Sequence, residues 1–192
     1  MRNSASSRKG IGAVPLILVL ILAFVGAFLL YRNWQSGLEA KKTAGTAVAP
    51  GTAPSGPRIA PPFTLQETNG NTYSSSRLAG KPTVINFFAS WCPPCKAEIP
   101  GFVEVYNKHK SKGFELVGIS LDTDTRGNLP GFLMTQKIEY TVLFGDLATA
   151  RAYGGVSSIP TTFFVGKDGE IKNVHVGYMD RDAFDAEVRK LL

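Results

Sequence analysis

The only two cysteines in this chain of 192 residues stand three positions apart, in Trp91-Cys92-Pro93-Pro94-Cys95. A disulfide between them would close four residues. The chain-entropy relation gives so small a loop about 2 kcal/mol, against about 3 kcal/mol for fifteen residues, so a stabilising staple explains the pair poorly. A structural zinc site needs two further ligands. The only histidines, His109 and His175, belong to different elements far apart in sequence; both read as surface or strand-face residues, and no metal site is expected. Thiol-disulfide exchange needs only what is present, a thiolate that attacks and a second thiol that resolves. With Cys92 at a helix N-terminus, unpaired N–H groups and the macrodipole stabilise its thiolate, while Cys95 sits one turn inward and shielded. An exposed Cys92 then attacks and Cys95 resolves. Pro93 and Pro94 each remove a backbone donor that could otherwise serve the Cys92 sulfur.

The elements that must position this pair follow from the hydrophobic pattern. Residues 83–89 (TVINFFA) are β-branched and aromatic, bounded by Gly80-Lys81-Pro82, and predict a fully buried central strand. Over 97–110, Ile99, Phe102, Val103 and Tyr106 recur at helical spacing, so the dithiol lies where strand passes to helix. Upstream, 63–65 and a segment around Tyr73 flank the turn Thr68-Asn69-Gly70-Asn71 as a small hairpin. Downstream the pattern predicts a buried strand at 114–121, a helix at 128–137, a strand at 141–144 and a short helix at 147–153. A hairpin follows, with strands 161–165 and 170–176 around Gly166-Lys167-Asp168-Gly169, and then an amphipathic helix from Asp180 with Phe184, Val188 and Leu191 on one face. The order βα, βα, ββα predicts an α/β fold, a mixed sheet with helices on both faces.

The formal charge of +6 is unevenly placed. Residues 1–57 hold six Lys/Arg (Arg2, Arg8, Lys9, Arg32, Lys41, Lys42) against Glu39, so the rest of the chain is nearly neutral and nucleic-acid binding is not expected. Residues 11–30 carry no charge over twenty positions, about 30 Å of helix and the thickness of a bilayer core. They predict a transmembrane anchor over 11–31. The flanking Arg2, Arg8 and Lys9 place residues 1–10 in the cytoplasm and the domain outside. A cleaved signal peptide is the competing reading, disfavoured because its apolar core usually runs to about 7–15 residues. Either way the domain is exported. No Cys lies near the end of the run to take a lipid. Residues 32–57 form a linker, and within it 43–57 use only Thr, Ala, Gly, Val, Pro and Ser, a flexible tether. The globular domain is 58–192.

The stretch Asn86-Phe87-Phe88-Ala89-Ser90-Trp91-Cys92-Pro93-Pro94-Cys95-Lys96-Ala97-Glu98-Ile99-Pro100 resembles the thioredoxin superfamily. More narrowly it resembles the TlpA/ResA-like (DsbE-like) membrane-anchored thiol-disulfide oxidoreductases. The likeness covers about 58–190. It implies a thioredoxin fold with a central mixed sheet flanked by helices, an N-terminal β-hairpin extension, an N-terminal transmembrane helix and an insertion near 123–141. It implies that Ile159-Pro160-Thr161 is the cis-proline segment that offers backbone groups to substrate, and that Trp91 packs beside the dithiol as a further substrate-binding residue. Pro100 matches the proline that kinks the active-site helix. Where thioredoxins proper carry a buried Asp as proton acceptor for the resolving cysteine, this chain has Asn86, which cannot accept a proton. Glu98, three residues after Cys95 and on the same helical face, is the ionisable replacement, and the resemblance also marks it as an active-site acid. The competing reading of Glu98 is a solvated first-turn acid that complements the helix dipole.

The function this implies is reduction of disulfides in exported proteins, by attack of Cys92 and resolution by Cys95 with Glu98 in attendance, without a dissociable cofactor. The resemblance implies apocytochrome c as substrate, a membrane electron donor of the DsbD or CcdA type, and a single-pass position in the bacterial inner (cytoplasmic) membrane with the domain facing the periplasm or cell exterior. Two other classes compete. Cys92 and Cys95 could hold Cu(I) or reduce a copper-site apoprotein during oxidase assembly, although no Met or His motif accompanies them. A peroxiredoxin-like peroxidase would want Thr three residues before Cys92, where Ala89 stands.

Overall fold

A computed structural model describes Leu20 and residues 25–31 and 58–192. The chain divides into two units, Met1–Ala53 and Pro54–Leu192. In the first, the described residues are helical and exposed, and among the described residues no helix is long and apolar enough to cross a membrane. The expected cytoplasmic segment 1–10, most of the anchor 11–31 and the linker 32–57 lie outside the described residues.

The second unit is built on one seven-stranded sheet of β1 (Thr64–Glu67), β2 (Thr72–Ser74), β3 (Thr83–Phe88), β4 (Glu115–Ser120), β5 (Thr141–Phe144), β6 (Thr161–Val165) and β7 (Ile171–Val176), in the order β2-β1-β5-β4-β3-β6-β7. β3, β4 and β5 are parallel; β6 runs antiparallel to β3, β7 to β6, and β1 to both β2 and β5. The helices are α1 (Pro93–His109), α2 (Leu129–Thr135), α3 (Leu147–Ala152) and α4 (Arg181–Leu191). The fold is thioredoxin-like.

Every residue of β3 is buried, as its unbroken apolar run predicts for a strand covered on both faces. Its side chains alternate between two cores. Val84 and Phe88 join Cys95, Ile99, Phe102, Leu129 and Phe184 on the α1 side, while Ile85 and Phe87 join Phe63, Leu143, Ala150 and Tyr153 on the other. That alternation puts Asn86 on the α1 side, inside the core behind the dithiol.

α1 begins earlier than its apolar periodicity indicates. Pro93 and Pro94 occupy its first turn, where a missing N–H costs nothing and a fixed φ favours the helix. Pro100 lies inside α1 without ending it. Phe102 of α1 stacks on Phe184 of α4, ring centroids 3.7 Å apart. The start of α4 also presses on Gly101, where a Cβ would come within 2.9 Å of the Arg181 Cβ. The Asp180 side chain caps α4 through the Ala183 N–H.

Candidate active site

Cys92 is the N-cap of α1, in extended backbone conformation, and its sulfur accepts the Cys95 N–H at 3.3 Å. With prolines at 93 and 94, Cys95 supplies the first backbone N–H along the helix that can serve that sulfur. The two cysteines are joined as a disulfide. Cys95 is fully buried, as expected, but Cys92 is only 3% exposed, against the expected open nucleophile. The turn from β3 and the segment before β6 close over it, with the Ile159 carbonyl 3.8 Å from its sulfur.

The Ile159–Pro160 peptide bond is cis. The Pro160 carbonyl accepts the Gly177 N–H at 2.8 Å, and the Thr161 hydroxyl donates to the Ser158 carbonyl at 2.6 Å, so both ends of the segment are fixed. The structure therefore brings Ile159, Pro160 and Thr161 to the dithiol, although the first is some 67 positions from Cys92 in sequence. Trp91, next to Cys92 in the strand-to-helix turn, is 57% exposed.

Glu98 is buried, not a solvated first-turn acid. The Asn86 side-chain amide donates to its Oε1 at 3.0 Å and the Met179 N–H to its Oε2 at 3.3 Å. Burial pushes its pKa from an ordinary 4.5 up to about 8, against the opposing pull of those two donors. A carboxyl with such a value is largely protonated at neutral pH and can both give and take a proton there. The same Asn86 amide also donates to the Thr162 hydroxyl at 3.0 Å, which orients it, while its Oδ1 has no partner. Tyr140, buried on the same side of the sheet, also has an unpartnered hydroxyl; burial raises its pKa, and the nearby Glu98 adds to the rise. Gly118 makes room for it, since a Cβ there would meet the Phe88 and Tyr140 rings at 3.0 and 3.3 Å.

The histidines are separate from this site. His109 is buried, contrary to its reading as a surface residue, and its Nε2 lies 2.7 Å from Asp185 Oδ1, in an ion-pair group with Lys108 and Arg189 that joins α1 to α4. His175 stands on β7 as expected, with Nε2 3.0 Å from the Tyr178 carbonyl. Sequence reasoning missed Asp122, Tyr140, Thr162 and the Met179 N–H. For Asp122 a signal existed: a carboxylate two residues beyond a buried strand that ends in Ser120.

Comparison with known proteins agrees with this geometry. Residues 58–174 match the AhpC/TSA family. The thiol-disulfide oxidoreductase ResA of Bacillus thuringiensis (strain Al Hakam) is 26% identical over 175 residues, covering 91% of this chain and 93% of that protein. The ResA of Oceanobacillus iheyensis is 32% identical over 130 residues, covering 66% and 67% respectively. The crystal structure of a thiol:disulfide interchange protein of the thioredoxin family from Chlorobium tepidum TLS superposes with a TM-score of 0.67 at 36% identity, covering 72% of this chain and 99% of that one.

Proposed function

We propose, from the premise that this chain belongs to the AhpC/TSA family and is a thiol-disulfide oxidoreductase of the ResA and DsbE kind, that it is a membrane-tethered reductase of disulfides in exported proteins. The observation that carries the chemistry is the buried acid behind the dithiol, Glu98, which can give and take a proton near neutral pH. The Cys92 thiolate attacks one sulfur of the substrate disulfide, forming a mixed disulfide and releasing the other sulfur as a thiolate, which takes up a proton. The Cys95 thiol then loses its proton to the ionised form of Glu98 and attacks the Cys92 sulfur, which restores the Cys92–Cys95 disulfide and expels the second substrate sulfur as a thiolate that takes that proton back from Glu98. Two electrons and two protons pass to the substrate. The segment Ile159, Pro160 and Thr161 and the exposed Trp91 hold the substrate backbone against the dithiol.

Membrane tethering rests on the uncharged run 11–30 and the basic residues before it. A domain outside the cytoplasm works in an oxidising compartment and needs electrons delivered to it, so a membrane dithiol carrier of the DsbD or CcdA type re-reduces Cys92 and Cys95. The paired haem-attachment cysteines of apocytochrome c are a fitting substrate. A peroxidase is not favoured: Ala89, fully buried, stands where the Thr of a peroxidatic site would be.

The test is the reduction potential of the full chain, together with substrate trapping. A value near about −250 mV or lower supports the reductase, and one near about −120 mV makes the protein an oxidant and sinks the reading. Cys92→Ala should abolish disulfide reduction and Cys95→Ala should accumulate a mixed disulfide through Cys92. If the Cys95→Ala protein holds no covalent partner, the order of attack is wrong.

A further inference from the structure

Asp122 lies just past the end of β4, 3% exposed, and its carboxylate gathers donors from two separate stretches of chain. The Ser90 N–H reaches Oδ2 at 2.8 Å and the Ser90 hydroxyl reaches Oδ1 at 2.6 Å. The Ser120 hydroxyl donates to Oδ2 at 2.7 Å, and the Thr125 hydroxyl donates to Oδ1. None of the ion pairs among the described residues includes Asp122. A buried carboxylate without a cation is costly and persists only where donors satisfy it. Burial alone would raise its pKa, but the donors from Ser90, Thr125 and Ser120 outweigh it and hold the group below the ordinary carboxylate range, so it stays charged at neutral pH.

The placement of that charge is informative. Ser90 is the second residue after β3 and the second before Cys92, in a turn closed by the Cys92 N–H on the Ala89 carbonyl at 3.2 Å. Asp122 grips this turn at both its backbone and its side chain. Thr125 belongs to the segment between β4 and α2, so one carboxylate ties that segment to the turn that delivers the nucleophile. A core needing only volume here would be served by an apolar residue, with no ion to desolvate.

We infer that Asp122 is a positioning residue of the disulfide exchange, its carboxylate fixing the Ser90-Trp91 turn that presents the Cys92 sulfur. It acts through Ser90 and touches no substrate. Its charge has a second effect. Ser90 and Cys92 are two Cα steps apart, at most about 7.6 Å, which leaves the carboxylate on the order of 10 Å from the sulfur. At that range an anion disfavours a thiolate. Among the described residues, the ionisable groups around the dithiol also include Lys96 and Glu98 on α1 and Tyr140 beside Glu98, and they are the same in wild type and both variants.

The inference rests on the oxidoreductase reading for its rate arm only. The experiment uses the full chain in reduced form, with iodoacetamide alkylation of Cys92 followed against pH and insulin reduction followed for kcat/KM. Asp122→Asn removes the charge and cannot accept from all four donors; the alkylation midpoint should fall by about one pH unit, and kcat/KM should fall about tenfold as the turn loosens. Ser90→Ala keeps the charge and the backbone bond, so its midpoint should stay and its kcat/KM should fall about threefold. An Asp122→Asn protein that melts lower but keeps the wild-type midpoint and kcat/KM overturns the inference. If that variant does not fold, a Ser90→Ala protein with wild-type kcat/KM overturns it instead. If wild type leaves insulin unreduced, the reductase reading is still judged by its potential and its Cys95→Ala trap, and the alkylation midpoints alone decide the role of Asp122: an unchanged Asp122→Asn midpoint overturns it.

Discussion

Replacing Glu98 with Gln tests whether the acid behind the dithiol is held protonated by the fold. In the disulfide form no thiol titrates, so the pH dependence of stability reports on the carboxyl without interference from the cysteines. The folded protein keeps a proton on Glu98 up to about pH 8, whereas the unfolded chain loses it near 4.5. Between those values the folded state binds one more proton than the unfolded state, so stability is greatest below about pH 4.5 and falls as pH rises through the window. At about 1.4 kcal/mol per pH unit the loss approaches about 5 kcal/mol by pH 8.5. Glu98→Gln has no charge to expel. Its amide can accept from only one of the Asn86 and Met179 donors, so at pH 5 it should be less stable than wild type by about 1–2 kcal/mol. At pH 8.5 it should be the more stable of the two by about 2 kcal/mol, with the curves crossing near about pH 6. Urea unfolding of both oxidised proteins at half-unit intervals from pH 5 to 9 measures this. All other ionisable groups are common to both proteins and cancel in the difference. Parallel curves would refute the reasoning, since they would mean that Glu98 ionises in the folded state much as it does in the unfolded chain.

Two further outcomes follow from the core. Tyr140→Phe deletes a buried hydroxyl without a partner while keeping the ring, and should stabilise the protein by about 1 kcal/mol in urea unfolding; a loss of that size would mean the hydroxyl is bonded. Phe184→Ala removes a ring buried against Phe102 and Phe164 and should cost about 3–5 kcal/mol, lowering the melting temperature by more than about 10 °C; a drop of only a few degrees would mean that α4 contributes little to the core under the dithiol.

The strand and helix order was legible because the elements are strongly patterned. The run at 83–89 is too apolar to be anything but a strand covered on both faces, and the 161–176 hairpin is announced by its Gly-Lys-Asp-Gly turn. The first turn of α1 was harder to read, because its two prolines look like a break until one counts the N–H groups a helix start leaves unused. Site residues divided along the same line. Cys92, Cys95 and Pro160 carry their chemistry in their spacing and neighbours. The burial of Glu98 does not, since a charged residue in the early turns of a helix is ordinarily solvated, and here Asn86 of β3 and the Met179 N–H from the loop before α4 both reach its carboxyl. His109 was misread for the same reason: its partner Asp185 lies 76 positions away, and no local periodicity reveals a histidine–carboxylate contact buried between two helices.

The exchange of Asp for Asn on β3 and the burial of Glu98 on α1 are one arrangement. A carboxylate at position 86 would face Glu98 across the distance now spanned by a 3.0 Å hydrogen bond, and two acids that close cannot both ionise. Asn86 instead gives one amide to Glu98 and Thr162 together, so it orients the helix acid without competing for its proton. The buried acid of this site therefore stands on the helix, three residues from Cys95 and one turn along the same face. Two consequences distinguish this layout from an acid on the strand. The acid travels with the cysteine it serves, because both belong to α1. Its second contact is the Met179 N–H, from the loop that leads from β7 into α4, so the proton affinity of the site depends on how closely that loop packs. Through the Gly177 N–H, the same loop also holds the Pro160 carbonyl. The Pro160 carbonyl and the Glu98 carboxyl are thus held by backbone N–H groups only two residues apart in one loop.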